Sequence, residues 1–348
     1  MSLTVVPNED EREISDVVTR FFRERAPLSG QLAAAAQGEV TLPRALYNEL
    51  AGLDVFSLAL PGGAESLGLT PLISALIAEA GGRELVPGPW LDQLIAVRAV
   101  GADEKLAAPL VSGEQIAAVA VRADLSVESG SASGTVRGLR FGDRVDRWVV
   151  LTENAAIVVD PAGPGVAEVQ REPSIDPLWH PVAATLDGAP VLADVQLDGD
   201  QRDALLGYAR GVTAAASVGA GLRLLEDGVA YVNERNQFGR PVGSFQAVKH
   251  RAANAYVALL HAQCLARRAL ATESSHDARV ARVASDRAYR FVSEQVLQLH
   301  GAIGFTAELP VHLFLKNAQQ LRAWPTHVDD DLRYLSEHLS LDLEVAVA

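Results

Sequence analysis

The sequence predicts an α+β multidomain protein, with an N-terminal helical domain over residues 1–112, a small antiparallel β domain over 113–200 and a C-terminal antiparallel helical bundle over 201–348. Three observations predict it. The apolar period is helical in the first and last thirds and gives way to short β-branched runs between them. At 348 residues the chain exceeds the size at which one core keeps growing. Its 49% hydrophobic and 21% charged residues are the composition of a packed globular protein.

Asn8 opens the first helix as a cap, with Glu11 as its capping-box partner and Ile14, Val17, Val18, Phe21 and Phe22 at helical spacing. Thr41 followed by Pro43 opens a second, with Leu46, Leu50 and Leu53 on one face, and Thr70 with Pro71 opens a third. The turn-rich PGGAESLG and VPGPW segments interrupt this region.

In the middle, AAVAVRA, TVRGLRF, RWVVLTE and AAIVVD read as short strands of an antiparallel sheet or barrel. SGSASG and PAGPGVAE read as turns: neither carries a Walker lysine or sits at a clean strand-to-helix junction. Arg137, Arg140, Arg144 and Arg147 form a basic stretch that reads as a solvated strand face.

From Asp203 the period is helical again, in segments of about 202–235, 241–272, 277–301 and 328–345. Long helices with short connections predict a bundle, and the small residues of TAAASVGAGL predict a close helix approach. Cys264, the single cysteine, reads as core packing on one of these helices.

The 44 acidic and 30 basic residues give a formal charge of −14, which repels nucleic acid and anionic membrane surfaces. A local basic patch still serves an anionic cofactor, because charge is screened over about 10 Å at moderate salt. The opening residues lack a signal-peptide core, and no run of about 20 apolar residues occurs. A cytoplasmic location is the expectation.

Between the first two bundle helices lies NERNQFGRPVGSFQAVKHRAA, in which a helix ends near Gly239 and restarts after Pro241. Arg235 and Gln246 bracket this corner. By spacing alone it is either a solvated helix-turn-helix corner or a place where a guanidinium and an amide meet an extended anionic ligand.

ERNQFGRPVGSFQAVKH resembles the acyl-CoA dehydrogenase pattern of Arg, two residues, Phe-Gly, then Phe-Gln before the next helix. QLHGAIGFTAELPVHLFLKNAQ, residues 298–319, resembles that family's Gln-x-x-Gly-Gly-x-Gly segment, and residues 42–69 resemble its N-terminal helix and following turn. The resemblance covers most of the chain and is weakest in the middle. It implies an acyl-CoA dehydrogenase-like fold and FAD bound across a subunit interface, with Arg235, Phe238, Gln246, Gln298, Gly301 and Ala302 at the cofactor. Ala302 stands where the family has a glycine, and Gln298 on its own reads equally well as a buried amide at a helix end. No metal ligand set is assigned.

The resemblance also implies a carboxylate base, and both familiar positions lack one: Pro325 aligns with the usual Glu, and Ala209 occupies the alternative place before Arg210. Asp203, Asp329, Asp330 and Asp331 lie nearby and read as helix-dipole and solvation residues. The family's flavin-ring strings of the β domain are also missing. The pattern resembles the non-catalytic partner of a heteromeric acyl-CoA dehydrogenase of the steroid side-chain type. That implies an α2β2 assembly with a catalytic subunit, an acyl-CoA substrate and electron-transfer flavoprotein as acceptor. The alternatives are a self-sufficient homo-oligomer with a non-standard base and a non-redox scaffold that kept the fold.

Overall fold

The computed structural model describes residues 5–38 and 40–347, excluding the side chains of 122 and 339–347. Helix α1 (Glu9–Arg25) starts at the expected capping box, Asn8 and Glu11 exchanging backbone-to-side-chain hydrogen bonds of 2.9 Å. Glu11 also accepts from Thr70 N and Oγ1, at 3.0 and 2.6 Å. The carboxylate that caps one helix thereby ties it to the approach of another.

Helices α2 (Leu28–Gln37), α3 (Arg44–Ala51), α4 (Gly63–Ser66), α5 (Ile73–Arg83), α6 (Trp90–Val100) and α7 (Glu104–Val111) complete the first helical region. The sequence reading had no counterpart for α2. Leu46 and Leu50 are buried on α3 as expected, but Leu53 falls after its end. Thr70 and Pro71 form the turn before α5, which begins at Ile73.

Strands β1 (Ala117–Ala120), β2 (Arg122–Glu128), β3 (Ser131–Arg140), β4 (Arg147–Leu151), β5 (Ala155–Val159), β6 (Val166–Arg171) and β7 (Pro181–Gln196) follow. They form one sheet in the order β1-β4-β5-β7-β3-β2, with β6 also on β7. The 16-residue β7 holds it together, pairing with β5 through its second half and with β3 and β6 through its first. All pairings are antiparallel except β1 with β4, which is parallel, so the expectation of an antiparallel sheet fails at that edge. SGSASG and PAGPGVAE both contribute turns, at Ser129–Gly130 and around residues 161–165, as expected.

Helix α8 (Gly199–Glu234) runs 36 residues, about 54 Å at 1.5 Å per residue. It packs on α5, α9 (Gln246–Thr272) and α10 (Ser275–His300). The close approach read from TAAASVGAGL is present: a Cβ on Gly219 would sit 1.9 Å from the Glu79 carbonyl oxygen of α5, and one on Gly82 would sit 2.0 Å from that of Ala216. The two helices cross backbone to backbone, and only glycine fits at the crossing. The two-residue strands β8 (Asn236–Gln237) and β9 (Arg240–Pro241) join α8 to α9, and α11 (Val311–Leu321) and α12 (Val328–Val347) close the bundle. Among the described residues no helix is long and apolar enough to cross a membrane.

Cys264 is exposed on α9, which corrects its reading as core packing. The outward face of α9 also carries Tyr256, Val257 and Leu260, all exposed, so apolar company does not mark the buried side of this helix.

Candidate functional site

The corner between α8 and α9 is a hairpin, and the helix stops earlier than its sequence suggests. Arg235 is already extended, at φ −73° and ψ 123°, and α9 begins only at Gln246. Between them Asn236 pairs with Pro241 and Gln237 with Arg240. Phe238 and Gly239 turn the chain, both at positive φ, 55° and 77°, the combination a two-residue type I′ hairpin requires. A phenylalanine pays strain to sit there. The residue is 91% exposed and its ring meets Phe245 edge-on at 6.2 Å, while the Arg240 guanidinium lies 4.0 Å over Phe245. Arg235 enters this hairpin and Gln246 leaves it, both exposed.

The second motif caps α10. Gly301 has φ 64° and ψ −141°, a conformation open essentially to glycine alone. Its N–H donates to the Gln298 and Leu297 carbonyls. The Gln298 side chain and Ala302 are exposed, which removes the reading of Gln298 as a buried amide. Two residues that the sequence reading did not single out join the motifs. Tyr231, one turn before Arg235, stacks on His300 with ring centroids 4.3 Å apart and planes 20° apart. Arg235 donates through Nη1 to the Tyr231 hydroxyl. The i, i+4 spacing of Tyr231 and Arg235 was the available signal for that pair.

This face suits an extended anionic ligand. It offers the guanidiniums of Arg235 and Arg240 for charge-assisted hydrogen bonds, the exposed amides of Gln246 and Gln298, an open glycine cap and the exposed ring of Phe238.

The centre of the fold is different in kind. Arg140 is 4% exposed, held between Trp179 and Trp324 with ring centroids 4.3 and 4.2 Å from its guanidinium carbon. Its Nε lies 2.6 Å from Oδ2 of Asp92. This corrects the reading of Arg140 as part of a solvated strand face, because a carboxylate 48 residues upstream draws it inward. Its neighbours Arg137, Arg144 and Arg147 remain nearer the surface, beside Glu172, Asp143 and Asp160. Burial pushes the Asp92 carboxyl above its usual range, and the Arg140 charge opposes that shift.

The cavity beside this stack, lined by Gly82, Trp90, Arg140, Asp176 and Trp179 among others, has only about 40 Å³. Across Trp179 lies a cleft of about 300 Å³ bounded by Arg137, Glu172, Trp179, Trp324 and Pro325. Pro325 thus faces a cleft and brings no proton acceptor to it. Glu172 is the cleft's carboxylate, and it already accepts from Arg137 Nη1 at 2.9 Å and from Gly138 N at 3.1 Å.

The other carboxylates are committed as well. Asp331 is fully buried and binds Arg210 Nε at 2.8 Å and Arg279 Nη1 at 3.2 Å, so its reading as a solvated helix-start residue is corrected. Asp203 pairs with Arg279, Asp329 with Arg322 and Asp330 with Arg333. Ala209 is buried within α8. Beside Asp331, the fully buried Arg282 guanidinium is brought down to about 10 by burial, and its Nη2 donates to the Leu321 and Trp324 carbonyls, fixing the turn that carries Pro325.

The family profile described as acyl-CoA dehydrogenase, C-terminal domain, matches residues 201–325. Acyl-CoA dehydrogenase FadE34 of Mycobacterium tuberculosis is 33% identical over 332 residues, which is 89% of this chain and 45% of that protein. The chain thus spans less than half the length of FadE34. Acyl-CoA dehydrogenase IpdE2 of Mycolicibacterium smegmatis is 31% identical over 249 residues, which is 70% of this chain and 71% of that protein. The chain belongs to the acyl-CoA dehydrogenase family. Two solved structures share its fold: the Tcur3481–Tcur3483 steroid ACAD variant, with TM-score 0.83, 24% identity and 98% of this chain against 99% of that one, and the ChsE4–ChsE5 complex from Mycobacterium tuberculosis, with TM-score 0.85, 23% identity and 97% against 99%.

Proposed function

We propose that this acyl-CoA dehydrogenase family member is the non-catalytic subunit of a two-chain, FAD-dependent acyl-CoA dehydrogenase, in an α2β2 assembly. The observation that carries the reading is a contrast within one molecule. The centre is filled by the Asp92–Arg140–Trp179–Trp324 stack, and Pro325, which brings no proton acceptor, lines the adjacent cleft, while the motif residues stand exposed at the α8–α9 corner and the end of α10. Arg235, Phe238, Gln246, Gln298, Gly301 and Ala302 would hold the dinucleotide of an FAD seated mainly in the partner. Arg235 would supply the charge for its pyrophosphate, Phe238 a wall, and Gln246 and Gln298 neutral donors. Bound flavin supplies the hydride acceptor for α,β-dehydrogenation of an acyl-CoA thioester. The proton acceptor would come from the catalytic subunit, and electron-transfer flavoprotein is the expected electron acceptor. A steroid side-chain thioester is the proposed substrate, in keeping with the steroid ACAD whose fold this chain shares.

A self-sufficient enzyme is less well supported, because Asp203, Asp329, Asp330 and Asp331 are all engaged in ion pairs. Co-expression with a neighbouring homologous chain tests the proposal by subunit stoichiometry and flavin content. A yellow, active complex and a colourless lone chain are expected. A lone chain with full flavin and dehydrogenase turnover would overturn it.

A further inference from the structure

Arg235 sits on an exposed corner at the end of α8, where a long side chain has many rotamers. An unrestrained guanidinium loses that freedom on meeting an anion, and holding it beforehand removes the cost. The restraint is built from two elements. On α8, Arg235 Nη1 donates to the Tyr231 hydroxyl, and the guanidinium carbon lies 5.6 Å from the Tyr231 ring centroid. On α10, His300 receives the Tyr231 ring flat against its own. His300 is itself fixed, being 6% exposed with Nδ1 2.9 Å from the Val296 carbonyl oxygen. That oxygen accepts when Nδ1 carries the proton. The next residue is Gly301, the cap of the second motif.

We infer that Tyr231, clamped on His300, is a positioning residue that aims Arg235 at the anionic dinucleotide and sets its distance from the Gly301 cap. The inference rests on the proposed cofactor role of the corner and adds how its two motifs are kept in register. The stack joins residues 69 positions apart along the chain, so neither motif can shift without the other.

The test is a double-mutant cycle in the co-expressed complex, with FAD affinity read by flavin fluorescence on reconstitution. Tyr231→Phe keeps the ring and its stack while removing the hydroxyl. It should weaken FAD binding about three- to tenfold, the range of one hydrogen bond to an exposed charge. Arg235→Gln should weaken it at least as much. Adding Tyr231→Phe to Arg235→Gln should then cost nothing further, since a residue that acts through Arg235 has no effect once Arg235 is gone. His300→Ala, which removes the clamp, should follow Tyr231→Phe in both backgrounds.

An unchanged affinity for Tyr231→Phe while Arg235→Gln still weakens binding would overturn the positioning role and leave the cofactor role standing. A Tyr231→Phe loss that persists in the Arg235→Gln background would also overturn it, by marking an independent structural effect. No effect of Arg235→Gln would overturn the cofactor role and the positioning role together. Unchanged melting of the lone chain separates these outcomes from misfolding.

Discussion

The guanidinium of Arg140 lies face-on to the Trp324 ring, 4.2 Å from its centroid, and its charge is answered by the fully buried Asp92. A second tryptophan covers the other side at 4.3 Å. The centre of the fold is thus closed by a charged stack, with Trp324 contributed by the same turn that carries Pro325. Truncation of Arg140 would leave the Asp92 carboxyl buried and without its partner. Arg140→Ala should therefore destabilise the lone chain by about 3–5 kcal/mol, the usual cost of breaking a buried pair. Arg140→Met combined with Asp92→Leu, which removes both charges, should recover much of that loss. Chemical denaturation of the three proteins checks this, and an Arg140→Ala loss below about 1 kcal/mol, the scale of an exposed pair, would show that the pair is not desolvated.

The acidic residues Asp203, Asp329 and Asp331 should separate by burial. Asp331 bridges Arg210 and Arg279 out of contact with water, so Asp331→Asn should cost about 3–5 kcal/mol of stability. Asp203 and Asp329 have half-exposed side chains, and their Asn variants should cost less than about 1 kcal/mol. In the assembled complex none of the three should alter turnover beyond what its stability loss explains. A specific collapse of kcat in one of them, with folding and flavin intact, would identify a base and favour a self-sufficient enzyme.

Much of the fold, the corner between α8 and α9 included, was legible because its signals are local. The Asn8–Glu11 box, the helical period and the small residues of TAAASVGAGL each act over a few residues, and so does the Arg-x-x-Phe-Gly string. What escaped depends on partners far away in the chain. Arg140 looks solvated beside Arg137, Arg144 and Arg147 until Asp92 is brought under it from α6, and Asp331 looks like a helix-dipole residue until Arg210 meets it across 121 positions. Cys264 was misplaced for another reason. Helix α9 exposes Tyr256, Val257 and Leu260, so hydrophobic periodicity alone points to the wrong face.

Gly301 offers a clean separation of backbone from packing. A Cβ placed there would meet nothing within 4 Å, yet φ is 64° and ψ −141°. Gly301→Ala should therefore cost about 1–3 kcal/mol from backbone strain alone. If the cap instead relaxes, the α10 terminus should fray and FAD binding in the complex should weaken. Thermal melting together with flavin titration distinguishes these responses, and a variant as stable and as flavin-competent as the parent would show that the cap is not needed.

His180 should give the protein a component of acid sensitivity. Its Nε2 lies 2.9 Å from Oδ1 of Asp143, its ring stacks on Phe141 at 5.0 Å, and Arg144 and Arg171 also act on it. Burial is the largest effect and pulls its pKa below the ordinary 6.5; the two arginines act in the same direction, and Asp143 acts against them. A histidine with a lowered folded pKa binds fewer protons folded than unfolded. Its contribution is therefore complete above the unfolded value of 6.5 and is lost as pH falls through the folded pKa. His180→Gln should flatten the decline of stability that sets in as pH falls below 6.5. Asp143→Asn should steepen it, because removal of the carboxylate lowers the folded pKa further. Urea midpoints taken between pH 7.5 and about 5, the span over which an ordinary histidine titrates, check both, and equal slopes in the parent and His180→Gln would rule out His180 as the source.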